Sequence, residues 1–236
     1  MNAARWPFSR ALLVLLLLEG AYMIGTRWLM GMGDVNGIGI ELARTILRLI
    51  SAAAVWGILG GILEKPTKGA WRGGIWWLLP LLATCLMFLV PLIAGNWNLP
   101  EADTRLVFAI TSLAVGMREE LVYRGILQTL LEKKLGLLWA IVITSVAFAL
   151  YHYGAQPWNW FTVTQYLCFG VFFGVLYART RSLWLVIWIH TLYDALWCYT
   201  PFIANPWNVQ RSIPFLLSAA LLTITWLIFS RKKVSA

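Results

Sequence analysis

Four charged side chains lie within seven residues of an otherwise apolar stretch: Arg118, Glu119, Glu120 and Arg124. A charged side chain at the centre of a bilayer costs about 2.5–3.5 kcal/mol on insertion scales, so such residues usually serve a function. On a helix Glu120 and Arg124 share one face and can form an ion pair with each other. Alternatively, they can belong to a structural ion-pair cluster that joins helices. Glu119 points about 100° away from that pair, and the position four residues after it holds Tyr123. The spacing therefore predicts Glu119 as a proton acceptor.

Two further polar constellations contain the only two histidines of the chain. His152 lies four residues after Phe148, and His190 lies four residues before Asp194, so each pair shares a helical face. Polar residues within membrane-spanning segments normally face the interior of the helix bundle and indicate a functional site. With the two glutamates they could activate water directly, or hold a zinc ion through oxygen and nitrogen ligands. The candidate metal ligands are Glu119, His152, His190 and Asp194.

The composition is that of a membrane protein. Of the 236 residues 60% are hydrophobic and 12% are charged, whereas a soluble domain has about 25% charged residues. Apolar blocks long enough to cross about 30 Å of hydrocarbon recur along the chain. We predict an all-α polytopic membrane helix bundle of about eight transmembrane helices, with one integral membrane domain over 1–236 and a catalytic motif core at about 104–200. The predicted spans are 11–30, 42–63, 75–95, 104–131, 137–154, 160–178, 183–203 and 213–230.

The net charge of +9 follows the predicted loops. Twelve Lys and Arg residues fall in terminal and loop segments on one side of the predicted membrane, and three fall on the other. The positive-inside rule places both termini in the cytoplasm and favours an even number of spans. Since no basic cluster forms a soluble face, we expect the lipid bilayer as a partner and no nucleic acid.

Charged residues of the first two spans also need partners. We expect Glu19 to pair with Arg44 or Arg48 between these spans, or the two arginines to reach the membrane surface. For Arg118 we expect a carboxylate elsewhere in the bundle.

Three motifs occur in order on separate predicted spans: Glu-Glu-x-x-x-Arg at 119–124, Phe-x-x-x-His at 148–152 and His-x-x-x-Asp at 190–194. This series resembles the CAAX-protease and bacteriocin-processing family, also called the Abi family. Its members are eight-helix intramembrane endopeptidases and include the type II CAAX prenyl endopeptidases. The resemblance covers about residues 104–200. It implies an endopeptidase of the bacterial inner membrane that cleaves a membrane-associated or lipid-anchored protein or peptide.

The resemblance also implies a role for each motif. Glu119 is similar to the catalytic glutamate that activates water, and His152 to the residue that holds or polarises this water. Glu120 then acts with Arg124 as a pair that orients Glu119. The supporting residues of the motifs are Arg124, Phe148 and Tyr123.

The third motif departs from the family pattern. His190 and the residue at position 194 resemble the pair that stabilises a tetrahedral oxyanion, and family members often have asparagine where this chain has Asp194. An amide can donate a hydrogen bond to an oxyanion, whereas an ionised carboxylate cannot. Asp194 must therefore be protonated, orient His190 or bind a metal, and we expect that it orients His190. The resemblance leaves open whether the enzyme uses zinc or no cofactor.

Two other functions use the same residues. A proton-coupled transporter could use the intramembrane carboxylates and histidines as a relay, although the chain lacks the repeated span pairs that many transporters show. A membrane scaffold could use them only to hold helices together. For the endopeptidase, a prenylated CAAX tail, a bacteriocin leader and a C-terminal sorting anchor all remain compatible substrates.

Overall fold

The computed structural model describes residues 6–32, 37–63, 74–94, 102–153, 159–199 and 206–229. Within these ranges the backbone is helical and contains no β-strand, which confirms the all-α prediction. A π-helical segment, Leu121–Gln128, follows the fourth α-helix. The α-helices are α1 (Phe8–Met30), α2 (Ile38–Leu59), α3 (Leu78–Ala94), α4 (Ala102–Glu120), α5 (Thr129–Leu135), α6 (Leu137–Tyr151), α7 (Trp160–Thr180), α8 (Leu183–Tyr199) and α9 (Pro206–Phe229).

Helix lengths and composition agree with a polytopic membrane protein. Because α4, the π segment and α5 are continuous, the described residues form eight helical stretches in the order of the predicted spans. Five stretches are long and apolar enough to cross a membrane. Helices α6 and α8 are apolar but shorter, with 15 and 17 residues. At 1.5 Å per residue α6 covers only about 22 Å, so it is shorter than the hydrocarbon core.

The predicted span at 104–131 is helical but not α-helical throughout. Its backbone is π-helical over Leu121–Gln128, directly after Glu120. Such segments are rare and occur often at functional sites. Glycine at position 125 lets the segment pack closely, since a Cβ there would lie 2.8 Å from the side chain of Leu63. The segment thus begins where the charged motif lies.

The described helices group into two compact units. The first contains α1, α2, α4, the π segment, α5 and α8. In it α1 packs on α2, α2 on α4, and α4 on α8. Helices α4 and α8 approach each other closely at Gly116, where a Cβ would lie 2.8 Å from Thr191 Oγ1 and 3.1 Å from the carbonyl oxygen of Ile187. Only glycine leaves room for α8 at this distance.

The second unit contains α3, α6, α7 and α9. Helix α3 packs on α9, α6 on α7, and α7 on α9. Arg179 is one of the twelve basic residues predicted in terminal and loop segments, but it lies buried in the last turn of α7. Its guanidinium donates hydrogen bonds to the carbonyls of Trp226 and Leu227. These carbonyls belong to the last turn of α9, where helices commonly need capping donors, and Arg179 supplies such donors.

Candidate active site

The charged motif lies at the end of α4, inside the first unit. Glu119 and Glu120 are its last two residues, with 4% and 0% of their surface exposed, and Arg124 follows in the π segment with 1% exposed. Charged side chains are stable in an apolar interior only when they pair with opposite charges or form hydrogen bonds with other polar groups. Each charge of the motif should therefore have a partner in the fold.

Glu120 holds two partners at once. Its Oε1 lies 3.0 Å from Nη1 of Arg124, which confirms the predicted ion pair four residues apart. The same oxygen lies 2.6 Å from Nδ1 of His190 on α8. Since a carboxylate accepts hydrogen bonds, His190 donates from Nδ1, and Nε2 is left to face the opposite direction. Glu120 therefore orients the imidazole of His190 as well as the guanidinium of Arg124.

Two other carboxylates face Nε2 of His190. Oδ2 of Asp194 lies 3.4 Å away and Oε2 of Glu119 lies 3.9 Å away. When Nε2 carries hydrogen it can donate to Asp194, whereas 3.9 Å is too long for a hydrogen bond to Glu119. The first unit thus brings together four of the five predicted catalytic residues, which are Glu119, Glu120, His190 and Asp194.

Asp194 contacts the ring of His190, and the expectation that it orients this ring stays a prediction. Its Oδ2 lies at the nitrogen that faces Glu119, and 30% of its side chain is exposed. Glu120 makes the shorter contact, at Nδ1. This second contact was not predicted, because position 120 reaches His190 from another helix, which motif spacing does not reveal.

The remaining motif lies in the second unit. His152 was expected on a helix, but α6 ends at Tyr151 and His152 occupies the turn that follows. Its Nδ1 lies 2.8 Å from the carbonyl oxygen of Phe148, and the ring stacks on Tyr166 with centroids 4.0 Å apart. Because the carbonyl only accepts, the hydrogen of a neutral ring is on Nδ1 and Nε2 is the basic nitrogen. Phe148 also contacts the ring, with centroids 4.7 Å apart.

Arg118 has the carboxylate partner that we expected, and it is Glu19. Nη2 of Arg118 lies 2.5 Å from Oε2 of Glu19 on α1. Its Nε donates to Ser51 on α2 at 3.4 Å, and its guanidinium lies over the ring of Tyr22, 3.5 Å from the centroid. Tyr123 is buried within electrostatic range of Glu19, Arg118, Glu119 and Arg124.

The expected pairing of Glu19 with the arginines of α2 is wrong. Arg44 and Arg48 bind Glu41 of their own helix, at 3.2 and 2.6 Å. These contacts are three and seven residues apart along α2, so a helical face explains them. Glu41 was overlooked because it stands at the beginning of the apolar block; its spacing from Arg48 was the signal.

Sequence reasoning also missed three residues that support motif side chains within their own units. Tyr166 supports the ring of His152, Ser51 binds Arg118, and Gly116 lets α8 approach α4. None belongs to a motif, and each acts through a contact between helices. Within the described residues, no group of three or more His, Cys, Asp or Glu side chains is arranged to hold a metal ion.

Residues 101–196 match the family model described as type II CAAX prenyl endopeptidase, Rce1-like. This confirms the resemblance inferred from the three motifs, all of which lie inside the matched region. Residues 1–100 and 197–236 lie outside it. A search of curated proteins found no match for the chain.

Proposed function

We propose that this chain is an intramembrane endopeptidase that hydrolyses a peptide bond of a membrane-associated peptide. The observation that carries the proposal is the contact of Glu119 with His190, whose ring is held by Glu120, inside an apolar helical unit. The family match supports a prenylated CAAX tail as the first substrate class to test. A carboxylate beside an oriented imidazole supplies both a base and a donor, the two groups that hydrolysis of an amide requires.

In the proposed reaction Glu119 acts as the general base. Its carboxylate takes one proton from a water molecule while the water oxygen forms a bond to the peptide carbonyl carbon. Nε2 of His190, in the form that carries hydrogen, donates to the oxyanion that develops. The carbon–nitrogen bond then breaks, and Glu119 returns its proton to the leaving amine. No net proton is consumed in this sequence.

Glu120 and Arg124 act through their neighbours in this proposal. Glu120 holds His190 at Nδ1 and so directs Nε2 toward the reaction, as the orienting carboxylate of a catalytic triad does. Arg124 compensates the charge of Glu120. A role for His152 in holding or polarising the water rests on its sequence motif and on the basic Nε2 that its bond to Phe148 leaves.

We further propose that the protein lies in the inner membrane of a bacterium with both termini in the cytoplasm. The apolar helices support an integral membrane location. The distribution of Lys and Arg supports the orientation. The loops leave no room for a soluble recognition domain, so the substrate is expected to bind within the membrane or at its surface.

Replacing Glu119 with glutamine tests the reaction. The amide keeps the size of the side chain but cannot accept the proton from water, so we expect no cleavage of a fluorescence-quenched farnesylated CAAX peptide above background. Purified protein in detergent or proteoliposomes would be assayed, with peptide products identified by mass spectrometry. Glu132→Gln is the matched control, since Glu132 lies in α5 and binds Gln128. Cleavage by Glu119→Gln at the wild-type rate would contradict the mechanism.

A further inference from the structure

His152 lies in the turn that follows α6, where two hydrogen bonds tie it to the end of the helix. Its backbone N–H donates to the carbonyl of Ala149, and its Nδ1 lies 2.8 Å from the carbonyl oxygen of Phe148. The bond at Nδ1 fixes one atom of the imidazole, but the ring can still pivot about that bond. Because the second side-chain torsion of histidine has broad minima, other contacts must set the plane of the ring.

Three aromatic rings contact this imidazole. Those of Phe148 and Tyr151 approach it at an angle, with centroids 4.7 and 5.0 Å away. The ring of Tyr166 instead lies almost parallel to it, with centroids 4.0 Å apart and 18° between the planes. Phe148 and Tyr151 belong to α6 itself, whereas Tyr166 belongs to α7. The stacked ring therefore relates the plane of the imidazole to a second helix.

The packing of α7 on α6 determines where the ring of Tyr166 lies. Helix α7 begins with a capping box, in which Asn159 and Thr162 exchange hydrogen bonds. At Gly170 a Cβ would lie 2.5 Å from Cα of Ser145, so only glycine permits this approach of the two helices. Tyr166 lies one turn after Thr162 and one turn before Gly170, on the same face of α7. Fixed points on both sides thus restrict its position.

We propose that Tyr166 is a positioning residue for the reaction, because its ring face fixes the plane of the His152 imidazole. With Nδ1 held by the carbonyl of Phe148 and the plane held by Tyr166, Nε2 keeps one direction in which it can hold or polarise water. Catalytic groups lose much of their effect when they are misplaced by about 1 Å. The proposal rests on the proposed function, since the water at His152 belongs to that reaction.

Nuclear magnetic resonance tests the contact without any substrate, because the chain has only two histidines. In protein labelled with ¹³C-histidine, the ring signals that are missing from His152→Ala identify those of His152. Protons above the face of an aromatic ring are shifted upfield by its ring current. At one fixed pH, the ring-proton signals of His152 should move downfield in Tyr166→Leu. They should stay upfield in Tyr166→Phe, which keeps the ring face.

Kinetics test the consequence for catalysis. With the farnesylated CAAX peptide, Tyr166→Leu should lower kcat by roughly 10- to 100-fold with KM nearly unchanged, as displacement of a catalytic group does. Tyr166→Phe should keep kcat within about twofold of wild type, because stacking uses the ring face and not the hydroxyl.

Phe172→Leu is the matched control. Phe172 is a buried aromatic residue of the same helix, and its ring lies against that of Phe173, with centroids 5.1 Å apart. It is more deeply buried than Tyr166, so its replacement should destabilise the protein at least as much. A loss of kcat that came only from destabilisation would therefore appear in Phe172→Leu as well.

A double-mutant cycle shows whether Tyr166 acts through His152. His152→Ala should lower kcat by about 100-fold or more, as loss of a group that handles protons does. Adding Tyr166→Leu should then change the residual kcat by less than about twofold, since no imidazole is left to position. A purely structural role of Tyr166 would lower the residual kcat again by the factor seen in the single variant.

Three results would overturn the proposal: unchanged His152 signals in Tyr166→Leu, an equal loss of kcat in Tyr166→Phe or Phe172→Leu, or a further loss of about tenfold in the double variant. If Tyr166→Leu does not fold, Tyr166→Met takes its place in every measurement, because methionine adapts to irregular space and has no ring face. If the wild-type protein did not cleave the peptide, the proposed function would fail, and the histidine signals would still decide whether Tyr166 fixes the imidazole.

Discussion

At the residue scale, the imidazole of His190 stands between carboxylates with different tasks. Glu120 contacts Nδ1 at 2.6 Å and is completely buried, whereas Asp194 contacts Nε2 at 3.4 Å and is partly exposed. The contact with Glu120 is shorter and more deeply buried, so it should dominate the orientation of the ring. Electrostatic interactions strengthen as water is excluded. The two carboxylates are therefore unequal in their importance for the proposed reaction.

Glutamine at position 120 and asparagine at position 194 separate these tasks. We expect Glu120→Gln to lower kcat by about 100-fold or more, since loss of an orienting carboxylate has an effect of this order or greater in a catalytic triad. Asp194→Asn should change kcat by less than about tenfold, because its amide can donate to the oxyanion. Steady-state cleavage of the farnesylated peptide measures both. The opposite ranking would favour Asp194 as the residue that mainly orients His190.

The local contacts of these residues were predictable and the distant ones were not. Glu120 and Arg124 are four residues apart, so helical geometry alone predicted their pair. The hydrogen bond that His190 donates to Glu120 joins residues seventy positions apart, and no periodicity of the sequence predicts it. For Arg118 the sequence indicated that a carboxylate was needed, but the choice of Glu19 depends on how α1 packs.

At the scale of elements, the approach of α8 to α4 determines whether the site forms. Gly116 precedes Glu120 by one turn on the same face of α4, and Thr191 follows His190 directly on α8. The space at Gly116 is too small for a Cβ atom, which would lie 2.8 Å from Thr191 Oγ1. Position 116 therefore controls the distance over which Glu120 reaches His190. The apolar blocks predicted both helices, but their close approach at Gly116 depends on side-chain volumes.

Alanine at position 116 should separate the two helices at the site. We expect Gly116→Ala to lower kcat by roughly 10- to 100-fold, since a shift of about 1 Å misplaces reacting groups to that extent. Gly57→Ala on α2 is the control, because a Cβ there meets no atom within 4 Å. Alanine is favoured over glycine in a helix, so the control should be fully active and no less thermostable. Wild-type turnover by Gly116→Ala would show that the close approach is unimportant.

At the scale of the whole molecule, the sequence motifs divide between two compact units. The first and third motifs lie in the first unit, and the Phe148–His152 motif lies in the second. Residues that match the family model come from both. Hydropathy predicted the order of the helical stretches well because each apolar block exceeds fifteen residues. It could not show this division, since helices of each unit alternate along the chain.

Membrane topology follows from the number of helical stretches and from the charges between them. If all eight helical stretches of the described residues cross the membrane, the chain returns to its starting side. Twelve of the fifteen Lys and Arg residues outside the predicted membrane interior are then predicted on that side. The positive-inside rule then predicts a cytoplasmic C-terminus. Expressed in a bacterium, a fusion of alkaline phosphatase after Ala236 should be inactive and a fusion of green fluorescent protein should fluoresce, because the phosphatase requires export. A phosphatase fusion after Pro100, beyond the third predicted span, should be active. Strong phosphatase activity at Ala236 would mean that one stretch does not cross the membrane, and the short helix α6 would be the first to examine.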